Sequence, residues 1–300
     1  MAKNKATKKL YRILRKALFM SAFFVLGILP KQVLSADSCT SEKLSIAENA
    51  TVKFVYDGDT LLLTDDRKIR IIGIDTPETK HHKQKAQTYG AKATEALRAL
   101  LKRHNNHIQL RFGKQRKDRY SRTLAHVFLA DGTNVSNWLL EHGYAAILPI
   151  PPNIELANCY KTAEEGAQAQ AIKIWQLASR RIKDVTDLTK GFKGNIRLRA
   201  SVKKIKHNKK SLVLILESNS KRKILVKVQN RHLRYFKDIN FDDLLGKIII
   251  ITGKLKNKRR KRLIYLNHPS QLSFPQITYS SVNSEFDRKI APTIKWSKPD

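Results

Sequence analysis

A mainly β protein with a few helices, organised as two domains, is the fold class that this 300-residue sequence predicts. Three observations predict it. Short β-branched or alternating apolar runs occur five times between residues 51 and 130, and five times again between 196 and 266. A polar, basic stretch with two glycines, residues 179–194, separates the two sets and is expected to be a linker. With 41% apolar and 28% charged residues, the chain can bury one large core or two modest ones.

In the first set the strands fall at 51–56, 60–64, Lys68–Ile74, Ile108–Phe112 and Leu124–Ala130. Ala93, Leu97, Leu100 and Leu101 recur at helical spacing over 90–103. A second helix starts at the cap residue Asn134, is expected to bury Val135, Trp138 and Leu139, and stops at Gly143. After the break at Pro149, Pro151 and Pro152, Tyr160, Ala163, Ala167, Ala171 and Trp175 mark a third helix over about 155–177. In the second set the strands fall at 196–205, 211–217, 223–229, 247–255 and 262–266, with an amphipathic helix expected at about 231–245. Five strands with a helix between the third and fourth is the OB-fold order. The expected division is a leader at 1–36, a first domain at 45–178, the linker, a second domain at 195–275, and a tail at 276–300 without periodicity.

Charge narrows the partners. Lys and Arg number 59 against 25 Asp and Glu, for a net charge of +34, and residues 191–270 alone hold 23 Lys/Arg against 4 Asp/Glu. An excess spread along the whole chain points to a polyanion, nucleic acid first, with an anionic membrane surface as a further contact. No protein partner is evident. Residues 1–16 carry seven Lys/Arg and no acid, ahead of a short apolar run at 17–29. That pattern reads as a secretory signal with a cleavage point near Leu34-Ser35-Ala36, or as a retained anchor, and either puts the body of the protein in the periplasm or outside the cell. In such a compartment Cys39 and Cys159 can form one disulfide; two unpaired structural thiols are the alternative.

The chemistry rests on acids. Gly-rich phosphate loops, Cys/His zinc spacings and a Gly-x-Ser-x-Gly elbow are all missing from the sequence. Instead Tyr56-Asp57-Gly58-Asp59-Thr60 is followed by Arg70 and by Asp75-Thr76-Pro77-Glu78-Thr79. Carboxylates at strand ends, held close by β pairing, make a hard-oxygen site for Ca²⁺ or Mg²⁺, and an arginine beside them suits a phosphate. Alone, an Asp-Gly pair is usually a turn and an arginine usually a surface ion pair. Their joint occurrence carries the argument. His81 and His82, in a lysine-rich loop, are expected to be solvent-exposed rather than metal ligands.

These motifs continue with Tyr89-Gly90, Asp118-Arg119-Tyr120-Ser121-Arg122, Ala130-Asp131-Gly132 and Ile174-Trp175. In that order, from about Thr51 to Trp175, they resemble the staphylococcal nuclease (thermonuclease) family. The resemblance implies a five-stranded OB-type barrel with three helices. It implies one Ca²⁺ held by Asp59, Asp75 and the Thr76 carbonyl, Glu78 orienting or deprotonating the attacking water, and Arg70 and Arg122 clamping the phosphate. Arg119, Tyr120, Lys80 and Lys83 are the expected substrate contacts. Leu263 through Leu272 is similar, more weakly, to a module that follows the nuclease in some proteobacterial members, where Tyr235, Phe236 and Tyr265 are available to stack on bases or to fill a core.

Two positions depart from the family. Ser121 stands where the family has glycine, and Pro149 stands where it presents a tyrosine to the base. The expected activity is a secreted, calcium-dependent endonuclease or exonuclease hydrolysing DNA and RNA, preferring single-stranded or frayed regions and leaving 3′-phosphates. Low sequence specificity follows because phosphate and sugar contacts carry no sequence information. A non-catalytic nucleic-acid or polyanion-binding protein of the cell envelope is the alternative; it would be expected to lose the acids and arginines, which are all present.

Overall fold

The computed structural model describes residues 39, 46–79, 86–189, 191–192, 194–217, 223–258 and 261–275. The leader, the Lys80–Lys85 loop with its expected contacts Lys80 and Lys83, and the tail from 276 lie outside them. In the first domain, β1 (Glu48–Asp57), β2 (Thr60–Leu63), β3 (Lys68–Ile71), β5 (His107–Lys117) and β6 (Thr123–Phe128) close a barrel in the order β1-β2-β3-β6-β5. The closing contact is parallel, β3 on β6, with Arg70 opposite Leu124. Leu61, Leu63, Ile69, Ile71, Leu110 and Val127 fill the interior, as the alternation of a half-buried strand requires.

The run Lys68–Ile74 is two strands rather than the expected one. Gly73 has φ +89°, which turns the chain out of the barrel, and β4 (Gly73–Asp75) pairs instead with β7 (Ala146–Leu148). The Tyr160 ring lies where a Cβ on Gly73 would sit, 2.3 Å away, so only glycine fits this corner. Helix α1 (Gly90–Lys102) buries Ala93, Leu97, Leu100 and Leu101 as expected. Helix α2 (Val135–Glu141) is capped by Asn134, whose side chain accepts from the Asn137 amide, but Trp138 is only half-buried and stacks on His142 and Tyr144. Helix α3 (Ala157–Ala169) is shorter than expected: Ala171 and Lys173 take positive φ, and a 3₁₀ turn at Lys173–Gln176 brings Trp175 into the core.

The second domain is also a closed five-stranded barrel. β9 (Gly194–Asn208), β10 (Ser211–Glu217), β11 (Lys223–Gln229), β13 (Lys261–Tyr265) and β12 (Ile248–Lys258) follow one another around it, and β12 returns to β9. Leu212, Leu214, Leu216, Ile224, Val226 and Val228 point inward with period two. The short β14 (Leu272–Ser273) extends one edge.

Two expectations change here. Residues 179–194 are not simply a linker: β8 (Ile182–Asp184) pairs with β9, and Val185 and Leu188 are buried in the second core. The helix expected at 231–245 is one turn, α4 (Asn230–Leu233), and a 3₁₀ turn at Asp242–Leu244. The Asn240 side chain accepts from the Asp242 amide, a local bond that competes with helix, and tight turns deliver Phe236, Phe241 and Leu244 to the core. Among the described residues neither cysteine is free; Cys39 and Cys159 are both disulfide-bonded. No helix among them is long and apolar enough to cross a membrane.

Behind the corner, Tyr160 is fully buried, with its hydroxyl 2.9 Å from His126 Nδ1 and accepting from Asn134 Nδ2 at 3.1 Å. Burial holds the His126 imidazole below its ordinary pKa of 6.5, and Glu155 opposes this only in part, its carboxylate 4.0 Å from Nε2. The unfolded chain therefore takes up this proton first. The contribution of neutral His126 is full above about pH 6.5 and declines as the pH falls below it. The urea midpoint should drop between about pH 7 and about pH 5.5, and His126→Gln should flatten that drop. An unchanged slope in the variant would assign it to other groups.

Candidate active site

The site is built where β1, β2, β3 and β4 end together. Asp57 closes the β1–β2 turn by accepting from the Asp59 amide at 3.0 Å. Gly58 lies so close to Thr76 that a Cβ there would be 2.7 Å from its methyl group, which lets the turn pack directly on the segment after β4. Asp59 is then buried among donors. Its Oδ2 accepts from the Thr76 amide at 3.0 Å and the Thr76 hydroxyl at 3.2 Å, and its Oδ1 from the Thr60 hydroxyl at 3.0 Å. Arg70 Nη2 is 3.1 Å from the same Oδ2.

Arg70 is placed by the β2–β3 register, which sets it opposite Thr60. Its guanidinium is tied down by the carbonyls of Ile71 at 2.6 Å and Ile74 at 2.8 Å, and it approaches Asp75 at 4.0 Å. Arg122 arrives from the other side, one residue before β6. Asp118 organises that loop: its Oδ1 accepts from the amides of Tyr120 and Arg122, and its Oδ2 accepts from Arg122 Nε at 2.8 Å. Arg122 Nη1 reaches the Thr60 hydroxyl at 3.3 Å. Ser121 accommodates the turn with φ +61°, in the left-handed region that glycine occupies without strain. Tyr120 is exposed, with the guanidinium of Arg119 4.6 Å from its ring centre. Arg70, Arg119, Tyr120 and Arg122 line one pocket of about 370 Å³.

The acids crowd one another. Asp57 is pushed up to about 6 by burial and by the charges of Asp59 and Glu78. Burial pushes Asp75 up as well, and Asp59 adds to it against the opposing charges of Arg70 and Arg180. Glu78 hangs from a backbone segment held by Gln87, whose amide donates to the Glu78 carbonyl at 2.9 Å. Among the described residues no three His, Cys, Asp or Glu side chains form a ready-made metal cluster. The donor set is nevertheless the one a hard divalent cation takes: carboxylate and carbonyl oxygens, with more acid than the guanidinium groups balance. Burial is the larger cause of both upward shifts, and a cation there would offset it together with the repulsion from Asp59.

A family model described as staphylococcal nuclease homologue matches residues 68–177. Thermonuclease of Staphylococcus intermedius is 36% identical over 133 residues, 43% of this chain and 77% of that protein. Thermonuclease of Staphylococcus hyicus is 38% identical over 143 residues, covering 45% and 81%. Endonuclease YncB of Bacillus subtilis is 33% identical over 132 residues, covering 42% and 61%. The chain belongs to the staphylococcal nuclease family. The family match ends at residue 177, so the second barrel is an addition to the nuclease barrel.

Within the nuclease barrel the structure brings together Asp59, Arg70, Asp75, Thr76 and Arg122, with Glu78 close enough to Asp57 to raise its pKa. Arg119 and Tyr120 sit at the rim. Three contributors were assigned no role by the sequence-based expectations, although Thr60 and Asp118 stand within the quoted motifs. Asp118 and Thr60 fix Arg122, and the acid four residues before an arginine was a readable signal for the first. The third is Asn195 of the second barrel, which donates Nδ2 to Asp75 Oδ2 at 3.1 Å across 120 positions of sequence, where no local pattern could announce it. Ser121→Gly should stabilise the nuclease by about 0.5 kcal/mol, relief of the left-handed backbone being partly offset by glycine's unfolded-state entropy, with cleavage unchanged. Urea denaturation measures it, and a loss of stability would give the serine side chain a role of its own.

Proposed function

We propose that this nuclease hydrolyses phosphodiester bonds of DNA and RNA with one Ca²⁺ ion, prefers single-stranded or frayed regions, and leaves 3′-phosphate ends. The observation that carries the reading is the convergence on Asp59: one guanidinium contacts its carboxylate at 3.1 Å, and the second is linked to it through the Thr60 hydroxyl. Asp59, Asp75 and the Thr76 carbonyl would hold the ion, which when bound supplies positive charge beside the phosphate and polarises its oxygens.

The chain's own residues do the rest. Arg70 and Arg122 engage the non-bridging oxygens, where charge grows as the phosphorus becomes five-coordinate, and both are already fixed by carbonyls or by Asp118. Glu78 orients the attacking water and takes its proton. Water adds to phosphorus, the bond from phosphorus to the 5′-oxygen breaks, and that oxygen leaves with a proton from solvent. The 3′-phosphate follows from which bond breaks. The exposed Tyr120 and Arg119 contact sugar and phosphate, so the base is weakly read. The size of that pocket, about 370 Å³, supports the preference for an unpaired strand. The basic, apolar N-terminal segment supports export, with the nuclease released to the periplasm or medium, or tethered through 17–29 at an anionic membrane surface.

Digestion of single-stranded and duplex DNA and of RNA, in Ca²⁺ and in chelator, tests this. Cleavage should require Ca²⁺ and favour the single strand. Arg122→Ala and Glu78→Gln should each lower kcat by about 10²–10³. Wild-type turnover in Glu78→Gln would remove that residue from the mechanism, and full activity in chelator would remove the ion.

A further inference from the structure

We propose that the cleft between the two barrels is a second nucleic-acid subsite, in which the basic barrel grips the single strand running out of the catalytic pocket. This rests on the nuclease reading and assigns the second barrel its ligand. A groove of about 680 Å³ opens between the Ile150–Pro152 loop of the nuclease barrel and the second barrel. It shares Gln115 and Ile150 with the pocket that holds Arg70 and Arg122. The two cavities therefore adjoin at these residues, and a strand leaving one can enter the other.

The walls suit a single strand. Arg231, Arg234 and Lys256 are exposed along the far wall, and none of the described residues lining the groove is acidic. Tyr235 and Tyr265 are half-buried beside these cations, with Arg234 5.1 Å from one ring centre and Lys256 5.5 Å from the other. A ring for a base thus comes paired with a charge for its phosphate, the combination by which basic barrels follow unpaired strands without reading sequence. Phe236 is buried in the second core and takes no part. The near wall adds the side chain of Ile150, 56% exposed, an apolar surface against which a base can pack. A concave groove that adjoins the catalytic pocket accommodates a polymer strand, whereas a bilayer surface could not follow it inward.

The experiment uses the full chain in chelator, where binding is read without cleavage, by fluorescence anisotropy of labelled oligothymidylates of three and twelve nucleotides. The variant Arg231→Gln/Arg234→Gln/Lys256→Gln should weaken binding of the longer strand about ten-fold. Its log–log salt slope should fall by about 2, three phosphate contacts being lost at about 0.7 each. The charge-matched control Lys203→Gln/Lys204→Gln/Lys206→Gln, outside the groove, should keep the advantage of the longer strand. Unchanged affinity in the groove variant, or an equal loss in the control, would overturn the proposal. So would a loss confined to phosphatidylglycerol vesicles, which would assign the groove to a membrane. Absence of cleavage by the unmodified chain in Ca²⁺ would instead sink the enzyme reading, while this comparison still decides the groove.

Discussion

Everything at the active end of the nuclease barrel is tied to one buried carboxylate, Asp59. It accepts from the Thr76 amide and hydroxyl and from the Thr60 hydroxyl, and it pairs with Arg70. A buried charge persists only where it is hydrogen-bonded and paired, so each partner is held as firmly as the acid it satisfies. Through Thr76 this fixes the start of the segment that carries Glu78. Through Thr60 it reaches Arg122, and through Arg70 it reaches Asp75. Removing any one partner leaves Asp59 short of a donor, which makes the constellation a unit rather than a set of separate contributions.

The barrel supplies that unit with rigidity. Asp59 and Thr60 stand at the start of β2, Arg70 within β3 and Asp75 at the end of β4, while Arg122 leads into β6. Strand pairing therefore sets their separations before any ligand arrives, the condition under which electrostatic stabilisation costs no reorganisation during reaction. The opposite strain is also built in. Acids pushed up by burial and by each other remain side by side, an arrangement that suits the cation and phosphate of the proposed reaction.

The two barrels share one wiring, with the third and fifth strands of each closing in parallel, yet no repeat is visible in the sequence. They do not share a task. The first gathers acids at its strand ends; the second carries a surplus of lysine and arginine. Their junction is specific: Asn195 reaches Asp75, and the guanidinium groups of Arg180 and Arg197 each lie 5.7 Å from the Trp175 ring centre. The second barrel is thereby connected to a proposed metal ligand as well as lining the proposed strand groove.

Much of this was legible in the residues. Periodicity marked the ten barrel strands and the helices α1 and α2, but not β4, β7, β8 or β14, because a half-buried strand or helix must alternate in register with its core. The Asp57–Thr60 and Asp75–Glu78 motifs supplied most of the proposed site, because turn chemistry and ligand chemistry both demand particular side chains at fixed spacing. The failures share a cause. The break at Gly73 is imposed by the Tyr160 ring. The expected helix at 231–245 gives way to turns because the second core takes Phe236, Phe241 and Leu244 from an irregular path, and the linker hides β8 because its strand pairs with a partner outside the segment. Sequence alone determined the β class, the basic surface and the identity of the acids and arginines. Only tertiary structure decided which of them meet, that Asn195 touches Asp75, and that a cleft joins the two barrels, since contacts spanning a hundred residues are selected by packing and leave no trace in local pattern.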